Sequence, residues 1–217
     1  RETAIRHIQS GLMGEAAEQE RLAANAACRE RLAGAGINLA AYNSVENAAD
    51  IAALPRALGY VDYNLYGKSY GGLLAQHIVA LYPRGVRSVI LDGAIPRAGK
   101  FALRRNANFQ QALQKVADAC AANELCDNDY PDIQNRFIAL VNALNASPAP
   151  MTITTRSLTE VITLNAPLTG EALLSTIYTM MYDSYGISRL PRLVDLVEKG
   201  DLDYLMRLRE RFELQVL

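Results

Sequence analysis

The residues of this chain that most directly indicate chemistry are a serine and the glycines on either side of it. Gly67, Ser69 and Gly71 form the pattern G-x-S-x-G, in which small residues beside the serine allow a sharp turn from a strand into a helix. Such a turn exposes the serine hydroxyl above the sheet, where it can attack an acyl carbon. The pattern predicts a nucleophile at Ser69, in a strained turn with positive φ, and no space for side chains at positions 67 and 71.

The residue after the nucleophile is predicted to stabilise negative charge. The backbone N–H of Tyr70 begins the helix, so it can donate to the oxyanion that develops on the attacked carbonyl group. The partial positive charge of the helix N-terminus acts in the same direction. A second donor usually comes from a loop after an earlier strand, and no such segment precedes Ser69. The catalytic residues predicted from the motif are therefore Ser69 and Tyr70.

A general base for Ser69 is harder to assign, because the chain has only two histidines, His7 and His77. His77 lies on the helix that begins beside Ser69, about 12 Å farther along its axis. His7 precedes the serine, whereas the order expected with this motif is serine, acid, histidine. We interpret both as surface or packing histidines. Asp92, at the end of a predicted strand, is a candidate acid, and the alternative is that it accepts local backbone hydrogen bonds.

The segments around the motif predict the elements that position it. Tyr63 to Tyr66 is a short apolar strand, and Leu73 to Leu81 has the apolar spacing of a helix. The β-branched run Val86 to Leu91 predicts a second, buried strand that ends at Asp92. Two strands joined by one helix form a βαβ crossover, which indicates a parallel sheet with both faces covered.

The rest of the chain is predicted to be mainly helical. Residues 14–33 form an exposed helix, and a second helix begins with Ser44 as its cap and is kinked or shortened by Pro55. Beyond Gly99, apolar stripes at helical spacing are interrupted only by a hairpin, Met151 to Thr155 with Val161 to Leu164. The expected division is an α/β core at 1–98 and a mostly helical cap at 99–217.

Composition and charge exclude several classes of partner. Half of the 217 residues are hydrophobic, enough for a real core, and the net charge is only -1. Such a charge gives no field to gather nucleic acid or an anionic membrane. No apolar run is long enough to span a bilayer. A small neutral compound or a peptide fits this charge better as a substrate. We expect no cofactor.

The three cysteines suggest one disulfide. Cys120 and Cys126 lie between two helical patterns, and the residues between them, including Asn123, allow the chain to turn back and close a small loop. We predict that these two cysteines are bonded. Cys28 then has its partner outside this chain, and three free thiols in a cytosolic protein are the alternative.

The chain resembles the tripeptidyl aminopeptidase and proline iminopeptidase branch of the α/β-hydrolases. The matching segments are Cys28, Tyr42 to Ser44, Asp50 to Ile51, Ala57 to Gly59, Asn64 to Gly71, Leu91 to Gly93, Cys120, Cys126, Tyr130 to Pro131 and Gly200 to Asp201. The resemblance implies an α/β core with a nucleophile elbow, a helical cap over the active site, no metal, and action on the N-termini of peptides. It also implies that an oxyanion loop precedes residue 1, and that the triad acid and histidine follow residue 217.

Three functions follow as hypotheses. The first is a serine aminopeptidase, tripeptidyl or prolyl, that forms an acyl-enzyme on Ser69, and the second is an esterase or amidase on small acyl substrates. The third is a non-catalytic fragment or a binding module that kept the serine turn. Under the first two hypotheses, this chain alone is expected to be inactive, because neither of its histidines can serve Ser69 as a base. Asp183, Asp195 and Glu198 are candidates to bind a substrate amino group, with solvated surface charges as the alternative. The expected location is secreted or periplasmic, and the alternative is cytoplasmic.

Overall fold

The computed structural model describes residue 5 and residues 8–156 and 161–212. The chain forms two compact units, Ala26–Asn106 and Arg1–Asn25 together with Ala107–Leu217. We call the first the parallel-sheet unit and the second the hairpin unit. The functional division into a core at 1–98 and a cap at 99–217 stays a prediction, and His7 lies outside the described residues.

The parallel-sheet unit contains the elements predicted around the serine motif. The described elements, which include two helices that cross the unit's boundaries, are α1 (Gly14–Gly34), a short 3-10 helix (Leu39–Ala41), α2 (Ser44–Ala57), β1 (Tyr63–Lys68), α3 (Tyr70–Leu81), β2 (Val86–Asp92) and α4 (Phe101–Ala121). Strands β1 and β2 pair in parallel, with Tyr66 opposite Ile90 and Lys68 opposite Asp92. The predicted βαβ crossover is therefore confirmed.

One face of this sheet is packed and the other is open. Buried Ala48 and Ala52 on α2 contact buried Ile78 on α3, and Leu65 and Val86 of the strands pack against them. On the opposite face Tyr66 is 66% exposed and Ile90 is 60% exposed. The prediction that β2 is a buried strand with both faces covered is wrong for the described residues, because helices cover only one face.

Two local predictions about the helices need correction or refinement. The N-cap of α2 is Asn43, whose side chain accepts from the N–H groups of Val45 and Glu46, and not Ser44. Both residue types cap helices well, and the sequence does not distinguish neighbouring positions. Pro55 lies inside the last turn of α2, which ends two residues later at Ala57. As predicted, α1 is an exposed helix with no buried residue.

The hairpin unit is mostly helical. Besides α4, its described elements are α5 (Glu124–Asp129), α6 (Ile133–Ala146), β3 (Thr152–Arg156), β4 (Val161–Asn165), α7 (Gly170–Met180), α8 (Ser184–Ile187), α9 (Leu190–Glu198) and α10 (Asp203–Phe212). Strands β3 and β4 pair antiparallel, which confirms the predicted hairpin.

The main hydrophobic core of the hairpin unit lies between the hairpin and the helices. Its fully buried side chains include Ile153, Leu173, Ile177, Met180 and Leu193. Met180 is 1% exposed, so its side chain packs inside this core. This core holds the unit together because large apolar side chains from strands and helices are removed from water.

A disulfide joins Cys120 to Cys126, as predicted, with 5.1 Å between the two Cα atoms. It links the end of α4 to α5. Asn123 is the N-cap of α5, and its side chain accepts from the backbone N–H of Cys126 at 3.0 Å. The cap thus turns the chain back at the position that the bond requires. Cys28 is a free, exposed thiol.

None of the helices within the described residues combines the length and the apolar character that a membrane-spanning segment needs.

Candidate active site

Ser69 occupies the turn between β1 and α3, and its backbone is held on both sides. Its φ is 53° and its ψ is -118°, so the predicted positive φ is confirmed. The Ser69 N–H donates to the carbonyl oxygen of Asp92 at 2.9 Å, and its own carbonyl accepts from Gly72 at 3.0 Å and Ile95 at 3.4 Å. A side chain in such a conformation costs about 1–3 kcal/mol and persists only when the surroundings fix it. The end of β2 and the loop after it supply that constraint.

Close packing beside Ser69 requires glycine at positions 67 and 72. The sequence motif predicted the first of these but not the second. A Cβ atom at Gly67 would lie 2.5 Å from the carbonyl oxygen of Gly71, so this glycine is required as predicted. A Cβ atom at Gly71 would meet nothing within 4 Å, and the prediction that a side chain there would clash is wrong. The second required glycine is Gly72, where a Cβ atom would overlap the Cβ of Ala94.

The backbone N–H of Tyr70 is available as a donor. Tyr70 is the first residue of α3, and the N–H groups in the first turn of a helix have no partner within that helix. Among the described residues no acceptor is found for this N–H. The geometry therefore suits the predicted oxyanion contact, and the catalytic roles of Ser69 and Tyr70 stay predictions.

The side chain of Tyr70 joins the elbow to α2. Its hydroxyl forms a 2.9 Å hydrogen bond with Oγ of Ser44. Ser44, expected to be the helix cap, instead contacts the residue that follows Ser69. This contact is a feature that sequence reasoning missed, because the two residues are far apart in the chain.

The side chain of Asp92 forms a hydrogen bond with Tyr66 on the neighbouring strand. Its carboxylate accepts the hydroxyl of Tyr66 at 2.6 Å. This hydrogen bond raises the pKa of the Tyr66 phenol above its usual range, and the nearby negative charge adds to the effect. The expected alternative to a catalytic acid was local backbone hydrogen bonding, whereas the observed partner is the side chain of Tyr66.

His77 lies beside a shallow groove and is remote from Ser69. The groove has a volume of about 480 Å³ and is lined by Leu73, His77, Ile95, Pro96, Arg97, Gly99, Lys100, Phe101 and Leu103. Nδ1 of His77 is buried and has no hydrogen-bond partner in the described part of the chain. Eight residues of helix correspond to about 12 Å, so His77 is not positioned to take a proton from Ser69.

The acids considered as ligands for a substrate amino group have other partners in the hairpin unit. Arg136 Nη2 binds Asp195 at 2.9 Å and Glu198 at 2.5 Å, and Lys199 Nζ binds Asp195 at 2.7 Å. The hydrogen bonds from Lys199 and Arg136 hold the pKa of the Asp195 carboxyl below its ordinary value. Asp183 caps α8 by accepting from the N–H of Tyr185. These carboxylates therefore have structural contacts and are not simply solvated charges.

The described part of the chain contains no cluster of side chains suited to bind a metal ion. Within residues 8–156 and 161–212, no group of three or more His, Cys, Asp or Glu side chains is arranged to hold a metal ion.

Comparison with known proteins agrees with this geometry. The model of a family described as the α/β hydrolase fold matches residues 26–130, just under half of the chain. The match covers all of the parallel-sheet unit and supports an α/β-hydrolase.

The individual proteins that resemble this chain are serine proteases. The chain is 36% identical over 91 residues to "Serine protease Hip1" of Mycobacterium bovis and to the proteins of that name from two strains of Mycobacterium tuberculosis. The aligned segment is 41% of this chain and 18% of each relative, so the chain matches about a fifth of the length of these curated proteins. Together the matches support a hydrolase that includes serine proteases among its relatives.

Proposed function

We propose that this chain carries the nucleophile of a serine hydrolase that cleaves peptide bonds near a free N-terminus, as a tripeptidyl or prolyl aminopeptidase does. The observation that carries the proposal is the conformation of Ser69, a positive-φ residue between a parallel strand and a helix. The similarity to serine proteases named Hip1 supports a peptide substrate.

The chemistry proceeds in two steps. The Oγ of Ser69 attacks the carbonyl carbon of the scissile bond, its proton passes to a general base, and the backbone N–H of Tyr70 donates to the oxyanion. The base then protonates the leaving amine as the C–N bond breaks, which leaves an acyl-enzyme on Ser69. Water, deprotonated by the same base, attacks the ester and releases the acid product and the serine hydroxyl.

The general base and its acid are proposed to lie in polypeptide outside residues 1–217. Ser69 requires a base within about 3 Å, and His77 is too far along α3. The open face and unpaired edges of the described β1–β2 sheet support further strands and helices from the same protein as neighbours, because parallel sheets are normally covered on both faces.

Two measurements test the proposal. The complete protein should react with a fluorophosphonate probe at Ser69, and Ser69→Ala should abolish both labelling and hydrolysis. Free peptide amides should be hydrolysed faster than the same peptides with a blocked N-terminus. Labelling that survives Ser69→Ala would show that another residue is the nucleophile, and the non-catalytic hypothesis would gain if the parent did not label.

An esterase or amidase acting on small acyl compounds is the second candidate function. Arg136 contacts Asp195 and Oε2 of Glu198, and Lys199 also contacts Asp195. Because these cations offset the negative charge of the two carboxylates, either carboxylate would attract a substrate amino group less strongly than an unpaired acid. Equal rates on free and N-blocked peptide amides would favour this candidate.

Export from the cytosol is also proposed, to the periplasm or the medium. The Cys120–Cys126 disulfide supports it, because such bonds persist in oxidising compartments. Fractionation of the producing cells tests this location.

A further inference from the structure

The side chain of Gln76 connects the helix after Ser69 to the loop after β2. Its Nε2 donates to the carbonyl oxygens of Gly72 at 3.0 Å and Ile95 at 2.9 Å. Its Oε1 accepts the backbone N–H of Arg97 at 3.1 Å. Gln76 is partly buried, and both ends of its amide group are bonded to main-chain atoms. These contacts join two segments that are far apart in sequence.

The same loop contacts the main chain of Ser69. The N–H of Ile95 donates to the Ser69 carbonyl oxygen at 3.4 Å, and Gly72 donates to that oxygen at 3.0 Å. Gly72 and Ile95 thus each donate a backbone N–H to Ser69, and each accepts a hydrogen bond from the Gln76 side chain at its own carbonyl oxygen. Ala94, which precedes Ile95, packs so closely on Gly72 that no Cβ atom fits there.

We propose that Gln76 is a positioning residue that keeps the reactive geometry of Ser69, an inference that rests on the proposed function of Ser69. A serine at positive φ holds its conformation only where neighbouring structure fixes it. Gln76 fixes the loop at Ile95 and Arg97 against α3, so the bond from Ile95 to Ser69 stays in place. Gln76 acts through the main chain and does not contact the reacting atoms.

The test compares Gln76→Leu with a matched control in the complete protein. Leucine has a similar size but makes none of the three hydrogen bonds. The control is Gln114→Leu in the hairpin unit, where Gln114 also bonds through its side chain, to Asp118 and Gln134. The measurements are the rate of fluorophosphonate labelling, kcat and KM for a p-nitrophenyl ester, and Tm, with kinetics recorded where each variant is fully folded.

Gln76→Leu is expected to lower kcat and the labelling rate together by about tenfold to a hundredfold, because a small displacement of a reacting group has effects of that order. KM should stay within about twofold, since ground-state binding does not depend on the serine position. Gln114→Leu should leave all three values unchanged. If Gln76→Leu fails to fold, Gln76→Glu is used, because it keeps the acceptor for Arg97 and replaces the donor by a carboxylate oxygen that repels the carbonyl oxygens of Gly72 and Ile95.

The inference is overturned if the folded variant retains the labelling rate of the parent, or if KM rises while kcat is unchanged. Ser69→Ala separates this failure from failure of the proposed function. Loss of activity in Ser69→Ala with full activity in Gln76→Leu rejects the positioning role alone. Full activity in Ser69→Ala rejects both proposals.

Discussion

The carbonyl oxygen of Asp92 accepts the backbone N–H of Ser69 at 2.9 Å, while the Asp92 carboxylate accepts the hydroxyl of Tyr66 at 2.6 Å. The main chain of one residue thus restrains the serine, and its side chain contacts the strand that leads to the serine. The two contacts can be separated by mutation, because a side-chain substitution leaves the carbonyl group in place.

Asp92→Asn is expected to lower hydrolysis by the complete protein by less than about tenfold. The Asn side-chain oxygen still accepts from Tyr66, and the main-chain bond to Ser69 is unaffected. A catalytic acid would behave differently, because its amide variant loses about four orders of magnitude in kcat. A steady-state measurement of kcat distinguishes the two roles, and a loss of that larger size would make Asp92 the acid.

Gly72→Ala and Gly71→Ala should have different effects on the free energy of unfolding. The added methyl group at position 72 collides with Ala94, so this variant should lose about 1–3 kcal/mol. At position 71 the added group meets nothing within 4 Å, and the change should be neutral or stabilising by up to about 1 kcal/mol. Urea unfolding of both variants measures this difference. Equal destabilisation would contradict the packing of α3 described above.

Loss of the disulfide should destabilise the hairpin unit moderately. The cysteines are 6 residues apart in sequence, and a loop of that size restricts the unfolded chain by about 2 kcal/mol. The double variant Cys120→Ser/Cys126→Ser should therefore unfold at lower denaturant concentration. Cys28→Ser is the control, since Cys28 is free and exposed. A double variant as stable as the control would show that the bond contributes little.

Asp195 should make stability depend on acid pH. Its carboxyl has a pKa held below the ordinary value by Lys199 and Arg136, so the folded protein binds this proton less readily than the unfolded chain. The stabilisation is complete above the unfolded pKa of about 3.9 and is lost as the pH falls through the folded pKa.

Comparison of the parent with Asp195→Asn measures this effect. The difference in unfolding free energy between them should be constant above about pH 4 and shrink at lower pH. Asp129→Asn, at an exposed carboxylate, is the control. A difference that does not change with pH would exclude the ion pairs of Asp195 as its cause.

Residues 1–217 expressed alone should turn over essentially no substrate. Ser69 has no base within reach among the described residues, and loss of a triad member costs such enzymes about four to six orders of magnitude in rate. The comparison is with a form of the protein that includes the polypeptide proposed above to carry the base. Equal activity of the two forms, lost in Ser69→Ala, would require His7 or His77 as the base.

The sequence predicted those parts of the site that depend on local pattern. Apolar spacing and β-branched residues located β1, α3 and β2, and the motif predicted the positive φ of Ser69. Cys120 and Cys126 were paired from their spacing. In each case the determining residues are neighbours in the chain, so no knowledge of distant contacts was needed.

Contacts between distant segments could not be predicted in this way. The need for glycine at position 72 comes from Ala94, and the bonds of Gln76 depend on where the loop after β2 lies. The exposure of Ile90 also has a spatial cause, because a β-branched run indicates an apolar environment but does not show whether a covering layer is present. The predicted N-cap of α2, Ser44, differs by one residue from the observed N-cap, Asn43. Both residue types cap helices well, so the sequence does not distinguish the two positions.

The open face of the β1–β2 sheet has a consequence for work with this chain in solution. Tyr66 and Ile90 are well exposed on this face, and within the described residues neither strand has a second neighbour. Unpaired strand edges beside apolar surface are templates for association with other copies of a chain. The purified chain should therefore self-associate as its concentration rises. Replacing Tyr66 and Ile90 with charged residues should reduce this self-association and raise the solubility.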